Sequence, residues 1–389
     1  MRLARLALEE FRSYATAELH PDPGLTIVAG PNGAGKTNLL EAVFVAVTGR
    51  SPRATADHEL VRHGAPFGRV RLDLADPDGG EGAKVEALIP GATPPPGLLR
   101  KRVSVNGLAR RSGSLGETVR AVLFRPEEML LLVGSPGERR RFLDAILAQR
   151  DRRSARDLVE LTRVLAQRNA LLRAIRREEA GVEGLAFWDE QLTAVGARVT
   201  AARLALVRDL AARIGPLHDA VAPRDEMGDA VRLEYADSLK EAWPERGSDE
   251  GVETLEAAYR RRIADVRQKE QWNGVSLVGP QRDDLRVELA GREVAAHASR
   301  GQQRTIILAL KLAETDLLGV GGPRPIVLLD DLFSELDAGR SERALDLLTE
   351  RGQVLVTMAD LAAIPPARRA RVPIWQVGDG RLSLTPRVA

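Results

Sequence analysis

An α/β head interrupted by an inserted α-helical arm is the fold class that the sequence predicts, and three observations predict it. A glycine-rich loop, Gly30 to Asn38, stands between a short apolar run and an apolar helical pattern. Near the other end a second apolar run, Ile326 to Leu329, closes in the carboxylate pair Asp330 and Asp331. Between them lies a long arginine-rich stretch with the 3/4 spacing of helices. The chain therefore divides into the N-terminal part of the head with a β-subdomain (1–145), a helical insertion (146–272) and the C-terminal part of the head (273–389).

The loop carries the clearest chemistry. Gly30, Pro31, Asn32, Gly33, Ala34, Gly35, Lys36 and Thr37 fit the pattern Gly-x-x-x-x-Gly-Lys-Ser/Thr, whose backbone N–H groups surround the phosphates of a nucleotide. Gly30, Gly33 and Gly35 let the backbone approach an anion without a Cβ in the way. Lys36 supplies a compact positive charge to the β and γ phosphates. Thr37 offers its hydroxyl to Mg²⁺, and the helix that begins around Asn38 points its positive end at the phosphates.

Composition bounds the rest. With 389 residues, 44% of them apolar, the chain can fill two or three cores rather than one. It has no cysteine, which removes disulfides and thiolate metal sites and suits a reducing cytoplasm. The five histidines (His20, His58, His63, His218 and His297) are scattered and read as ordinary surface or core residues. No stretch reaches the roughly 18 apolar residues of a membrane span, so a soluble protein is expected. The net charge of +2 says little, but the cations are almost all arginine and their distribution is uneven.

In chain order, Leu3, Leu6 and Leu8 lead through Phe11, Arg12, Ser13 and Tyr14 into an edge hairpin that feeds the loop, with Arg12 a candidate nucleotide contact. Val70, Leu72 and Leu74, then Val85, Ala87 and Ile89, alternate with polar neighbours around a glycine turn and predict a β-hairpin. Lys101 to Gly107 reads as a strand closing in an Asn-Gly turn, and Val122 to Phe124 as a buried strand stopped by Pro126. From Glu138 to Ala180 twelve arginines face seven acids, a basic helical face that fits the phosphates of DNA. Leu158, Leu161, Leu165, Leu172 and Ile175 form one apolar stripe, and Leu192, Val195, Val199, Ala202 and Leu206 a second. Two packed helices follow from these stripes, the second expected to stop at Gly215 and Pro216, with residues 224–272 continuing the helical insertion.

The chain then returns to nucleotide chemistry. Val275 to Leu289 reads as two strand pieces around a polar turn. Ser299, Gly301 and Gln302 open a long amphipathic helix whose start is a second anion site. One chain cannot easily bring both anion sites to a single nucleotide. Asp330 is expected to hold Mg²⁺ and Asp331 to orient or deprotonate the attacking water. Ser334 to Asp337 would cap the next helix, and Gln353 to Thr357 would add a strand whose end faces the site.

The order of these motifs resembles the ATP-binding-cassette ATPases and, within them, the SMC-like DNA-repair branch. Further matching pieces are Phe11 to Tyr14, Phe124 with Pro126 and Glu127, Gly134 to Asp144, Gln167 to Asn169 and Gly279 to Asp284, so the resemblance spans nearly the whole chain. Gln281 stands where histidine is common, Met358 where a switch histidine is usual, and Asp331 where glutamate is usual; no glutamine marks the segment Val122 to Pro126. The resemblance implies an ABC-type, SMC-like ATPase head with a mixed sheet and an inserted arm. It implies ATP and Mg²⁺, with Ser299, Gly301 and Gln302 of a second copy closing on a nucleotide held by Lys36, hence an ATP-dependent homodimer. Also implied are a weak, DNA-stimulated ATPase, binding to double-stranded DNA and single/double-strand junctions, RecR and RecO as protein partners in recombinase loading, and a cytoplasmic, nucleoid-associated location with no membrane contact. The alternatives are an SMC-like nuclease-associated ATPase and a transporter ATPase subunit.

Overall fold

The computed structural model describes residues 1–76, 78–222, 230–239, 251–332, 338–361, 364–378 and 380–385. The predicted Ser334, Glu335, Leu336 and Asp337 lie outside the described residues. By its internal contacts the chain divides into two compact units, Met1–Glu128 with Ala220–Asp225 and Leu308–Ala389, and Met129–Asp219 with Glu226–Ile307. The strands, in chain order, are β1 (Arg2–Phe11), β2 (Tyr14–Leu19), β3 (Leu25–Ala29), β4 (Phe67–Ala75), β5 (Ala83–Pro90), β6 (Arg102–Val105), β7 (Leu108–Arg110), β8 (Ala121–Phe124), β9 (Val231–Ala236), β10 (Asp284–Leu289), β11 (Arg292–Glu293), β12 (Ile326–Asp330), β13 (Val354–Met358), β14 (Ile374–Gly378) and β15 (Arg381–Leu384).

The first unit holds two six-stranded sheets. One is antiparallel, in the order β2-β1-β4-β5-β6-β7. Its central strands β4 and β5 alternate buried with more exposed residues, and in β4 Val70, Leu72 and Leu74 face the core. The other sheet is mixed, in the order β15-β14-β3-β13-β12-β8, with β15 antiparallel to β14 and the rest parallel. Its central strands β3, β12 and β13 are buried at every position, which is why they read as unbroken apolar runs. The helix Lys36–Thr48 packs into the same core through Leu39, Leu40, Val43 and Val47. Gln353 ties the two sheets together: its amide donates to the carbonyls of Leu3 (2.8 Å) and Asp22 (2.7 Å) and accepts the Leu3 N–H at 2.7 Å.

The second unit is built on the helices Pro136–Arg150, Arg152–Arg176, Leu185–Val221 and Val252–Asn273. Leu161, Val164, Leu192, Val195, Tyr259 and Ile263 form its apolar centre. Three features differ from the sequence reading. The helix expected to stop at Gly215 and Pro216 runs on to Val221 with Pro216 inside it. Pro216 withholds one N–H from the helical ladder, and the burial of Ile214, Leu217 and Val221 around it keeps the helix continuous. The segment read as continuing the helical insertion contains β9, which pairs with β10 from Val231 to Ala236 and places Tyr235 inside. Val275–Val278 forms no strand; a single 3₁₀ turn at Pro280–Arg282 leads into β10.

Candidate functional site

The site is assembled at the carboxyl ends of the parallel strands of the first unit. β3 lies beside β13, and β13 beside β12, with Val28, Thr357 and Asp330 in register across the three. The loop after β3 therefore reaches over the end of β13 to the end of β12. Thr37 donates its hydroxyl to Asp330 Oδ1 at 2.9 Å, and Thr357 donates to the same oxygen at 2.6 Å. Asp331, next in sequence, has φ 50, a conformation that side chains other than glycine seldom adopt, and its N–H donates to the Thr357 carbonyl at 3.2 Å. Tertiary hydrogen bonding, not local preference, sets the direction of this residue.

Within the loop, Lys36 folds back on its own backbone, donating to the carbonyls of Gly30 (2.7 Å) and Pro31 (3.0 Å). Burial pulls its ammonium below the usual lysine range, opposed by the nearby charges of Asp331 and Asp330. A buried cation whose hydrogen bonds go to carbonyl oxygens is prepared to exchange them for phosphate oxygens. At Gly30 a Cβ would stand 2.4 Å from the Val377 carbonyl of β14, so glycine is required by close approach. Asn32, Gly33, Gly35, Lys36, Thr37, Asn38, Asp330 and Asp331 line a cleft of about 380 Å³, joined there by Arg53, Arg125, Pro126 and Glu127. A buried carboxylate beside a threonine hydroxyl is a hard oxygen donor pair, and Thr37 with Asp330 fits Mg²⁺.

Arg12 stands behind the loop. Its guanidinium makes a two-pronged ion pair with Glu41, at 2.9 Å to each oxygen, and donates to the Glu59 carbonyl at 2.7 Å. Glu41 is 1% exposed and is also held by Arg53 at 2.6 Å and Ser51 at 2.7 Å. Burial pushes its pKa up, but the hydrogen bonds from Arg12, Arg53 and Ser51 prevail and hold it below the usual carboxylate range. Ser13 accepts from Asn38 at 3.0 Å, and the buried Tyr14 phenol donates to the Gly35 carbonyl at 3.0 Å. A second, more open cavity, lined by Arg12, Ser13, Asn38, Arg53, Glu59 and Val61, adjoins the loop cleft through Asn38 and Arg53.

Ser299, Gly301 and Gln302 belong to the second unit. Ser299 Oγ accepts the Gln302 N–H at 3.2 Å while the Gln302 side chain accepts the Ser299 N–H at 2.9 Å, a reciprocal cap at the start of the helix Arg300–Gly319. Glu41, Arg53, Ser51, Tyr14 and Thr357 were not singled out in the sequence as site residues. Tyr14 carried a usable signal through its place in the Phe11–Tyr14 motif, and Thr357 through its place at the end of the strand expected to face the site.

A phosphate loop and an aspartate pair at the ends of two parallel strands of one sheet, in a chain interrupted by a helical insertion, define the head of an SMC-type nucleotide-binding protein. The chain belongs to the RecF/RecN/SMC N-terminal domain family, whose model matches residues 2–369, and within it to the RecF proteins. It is 38% identical to the DNA replication and repair protein RecF of Roseiflexus castenholzii, over 98% of this chain and 99% of that protein. It is 40% identical to the DNA replication and repair protein RecF of Streptomyces avermitilis, over 92% of this chain and 94% of that one. Among solved structures it is similar to the recombination mediator protein RecF-ATP of the RecFOR pathway, with a TM-score of 0.86 and 26% identity over 99% of this chain and 98% of that chain. The SMC-like head expected from the motifs, with its mixed sheet, is thereby borne out.

Proposed function

We propose that this protein is an ATP-switched recombination mediator that acts on duplex DNA beside single-stranded gaps. The observation that carries the reading is the 2.9 Å contact between Thr37 and Asp330, 293 residues apart in sequence, which unites the phosphate loop and the carboxylate strand in one cleft. Gly30 to Asn38 cradle the phosphates of ATP, and Lys36 turns from its carbonyls to the β and γ phosphates. Thr37 and Asp330 hold Mg²⁺, which neutralises developing charge on the phosphates when bound. Asp331 orients or deprotonates the attacking water, and Arg12 supports the nucleotide from behind the loop.

Ser299, Gly301 and Gln302 present a helix N-terminus, with its positive dipole end, to ATP held by a second copy. ATP thus joins two heads, and slow hydrolysis, stimulated by DNA, separates them. With RecR and RecO the ATP-bound dimer promotes recombinase loading at gaps and stalled forks in the cytoplasm. The test is light scattering with Mg²⁺ and ATP, then ADP, on the wild type, Lys36→Met and Ser299→Arg. A dimer with ATP alone, lost in both variants while Ser299→Arg still binds ATP, supports the reading. A wild type that stays monomeric on ATP with gapped duplex present overturns the two-head closure.

A further inference from the structure

We infer that the free edge of the antiparallel sheet, the hairpin β6–β7 with its flanking arginines, is a surface that grips the phosphates of duplex DNA. This rests on the DNA-binding reading above and assigns the contact to the first unit instead of the helical insertion. From Ala87 to Gly116 the sequence has no Asp or Glu and five cations, Arg100, Lys101, Arg102, Arg110 and Arg111. Lys101 is spent on Asp57, and Arg102 donates to the Gly97 carbonyl. Arg100, Arg110 and Arg111 are exposed and make no ion pair among the described residues.

The fold concentrates these charges. β7 is the last strand of its sheet, and residues 106–112 are all exposed. The Asn106–Gly107 turn, both residues at positive φ, fixes a register that pairs Val103 with Arg110. That register brings Arg102 and Arg111 to the same end of the hairpin. An edge carrying a row of arginines with no acid between them matches a row of phosphates. In the insertion, Arg150, Arg168 and Arg177 are already in ion pairs with Asp209, Glu270 and Glu179, while the exposed Arg152, Arg153 and Arg156 serve as the comparison for the hairpin.

The experiment measures anisotropy of a labelled duplex with the full chain and ATP from 50 to 200 mM salt, an interval set by the known salt response of phosphate contacts. It compares the wild type, R100Q/R110Q/R111Q, the same positions as lysine, and the insertion control R152Q/R153Q/R156Q. The glutamine variant is expected to lose about ten-fold or more in affinity at the lowest salt. Its log-log salt slope should be shallower by about two to three, near 0.9 for each phosphate released. The lysine variant should keep the slope, and the insertion control should match the wild type. Equal affinity and slope in the glutamine variant, or a loss confined to the insertion control, overturns the inference while leaving DNA binding intact. A glutamine variant that keeps duplex affinity but loses binding to polyglutamate overturns it in favour of an acidic protein partner. A wild type that binds no duplex at any salt overturns the DNA-binding reading itself. Unchanged melting temperature and ATP binding in each variant exclude misfolding as the cause of a loss.

Discussion

Thr357 gives its hydroxyl hydrogen to Asp330 at 2.6 Å and receives the Asp331 N–H on the same oxygen at 3.2 Å. One side chain at the end of β13 thus holds the Asp330 carboxylate and the backbone of Asp331 that follows it. Thr357→Val keeps the volume and removes both bonds. It is expected to cost about 1–3 kcal/mol of stability, the range for a buried hydrogen-bonding group deprived of its partner, and to weaken Mg-ATP binding about ten-fold, while Thr357→Ser retains both properties. Calorimetric titration and thermal melting read the two effects, and an unchanged affinity would remove Thr357 from the site.

Arg12 and Glu41 form a partly buried pair, and truncating one partner leaves the other charge poorly compensated. Arg12→Ala should destabilise the protein by roughly 2–4 kcal/mol, softened by Arg53 and Ser51, which still hold Glu41. Because the folded-state pKa of Glu41 is depressed, its contribution is present above the unfolded carboxylate range and lost as pH falls through that range and below. Denaturant melts at pH 7 and pH 3.5 should therefore show a smaller penalty for Arg12→Ala at the lower pH; equal penalties would refute the ion-pair account.

Gly35 has φ 109, and a Cβ there would meet Ser13 Oγ at 2.7 Å and the Tyr14 hydroxyl at 2.9 Å. Gly33 has φ 82 and open space around it. Gly35→Ala should accordingly cost more than Gly33→Ala, about 2–3 against about 1 kcal/mol, because only the first adds crowding to backbone strain. The comparison is made by equilibrium unfolding without nucleotide, and equal costs would deny the role of Ser13 and Tyr14 as a wall.

Asp283 is fully buried, and burial raises its carboxyl pKa from 3.8 to about 6 against the Tyr235 hydroxyl, the Ser238 N–H and the Arg203 charge that favour its ionised form. A carboxyl whose folded pKa is raised is neutral in both states at low pH, and its penalty grows as the unfolded form ionises first. Stability is therefore lost as pH rises from about 4 to about 6, by roughly 3 kcal/mol for a shift of this size. Asp283→Asn abolishes that slope. The stability difference between wild type and variant, followed from pH 4 to pH 7, should move in favour of the variant by that amount; a difference independent of pH would contradict the shift.

The parts of the head legible in the sequence were those written in consecutive residues. The phosphate loop, the apolar run ending at Asp330 and the alternation in β4 and β5 each declare themselves through local spacing. The site's supporting residues did not, because their partners are distant: Glu41 looks like a solvent-facing helix residue until Arg12 and Arg53 are brought to it from other elements. Pro216 was misread for the opposite reason, since a strong local rule was overridden by burial on both sides of it. The arginines of the insertion read as a binding face by count, and only the fold shows how many are matched to acids, as Arg168 is to Asp189 and Glu270.

The position of β3 between β13 and β14 also sets an order of events in synthesis. Both hydrogen-bonding neighbours of the strand that carries the phosphate loop are encoded near the end of the chain, whereas Met129–Asp219 and Glu226–Ile307 can settle among themselves earlier. The strand that carries the nucleotide loop can pair in this sheet only after Val354–Met358 and Ile374–Gly378 have been made. A chain cut before Val354 would leave β3 without either of its hydrogen-bonding neighbours, and the proposed ATP switch would be lost with them.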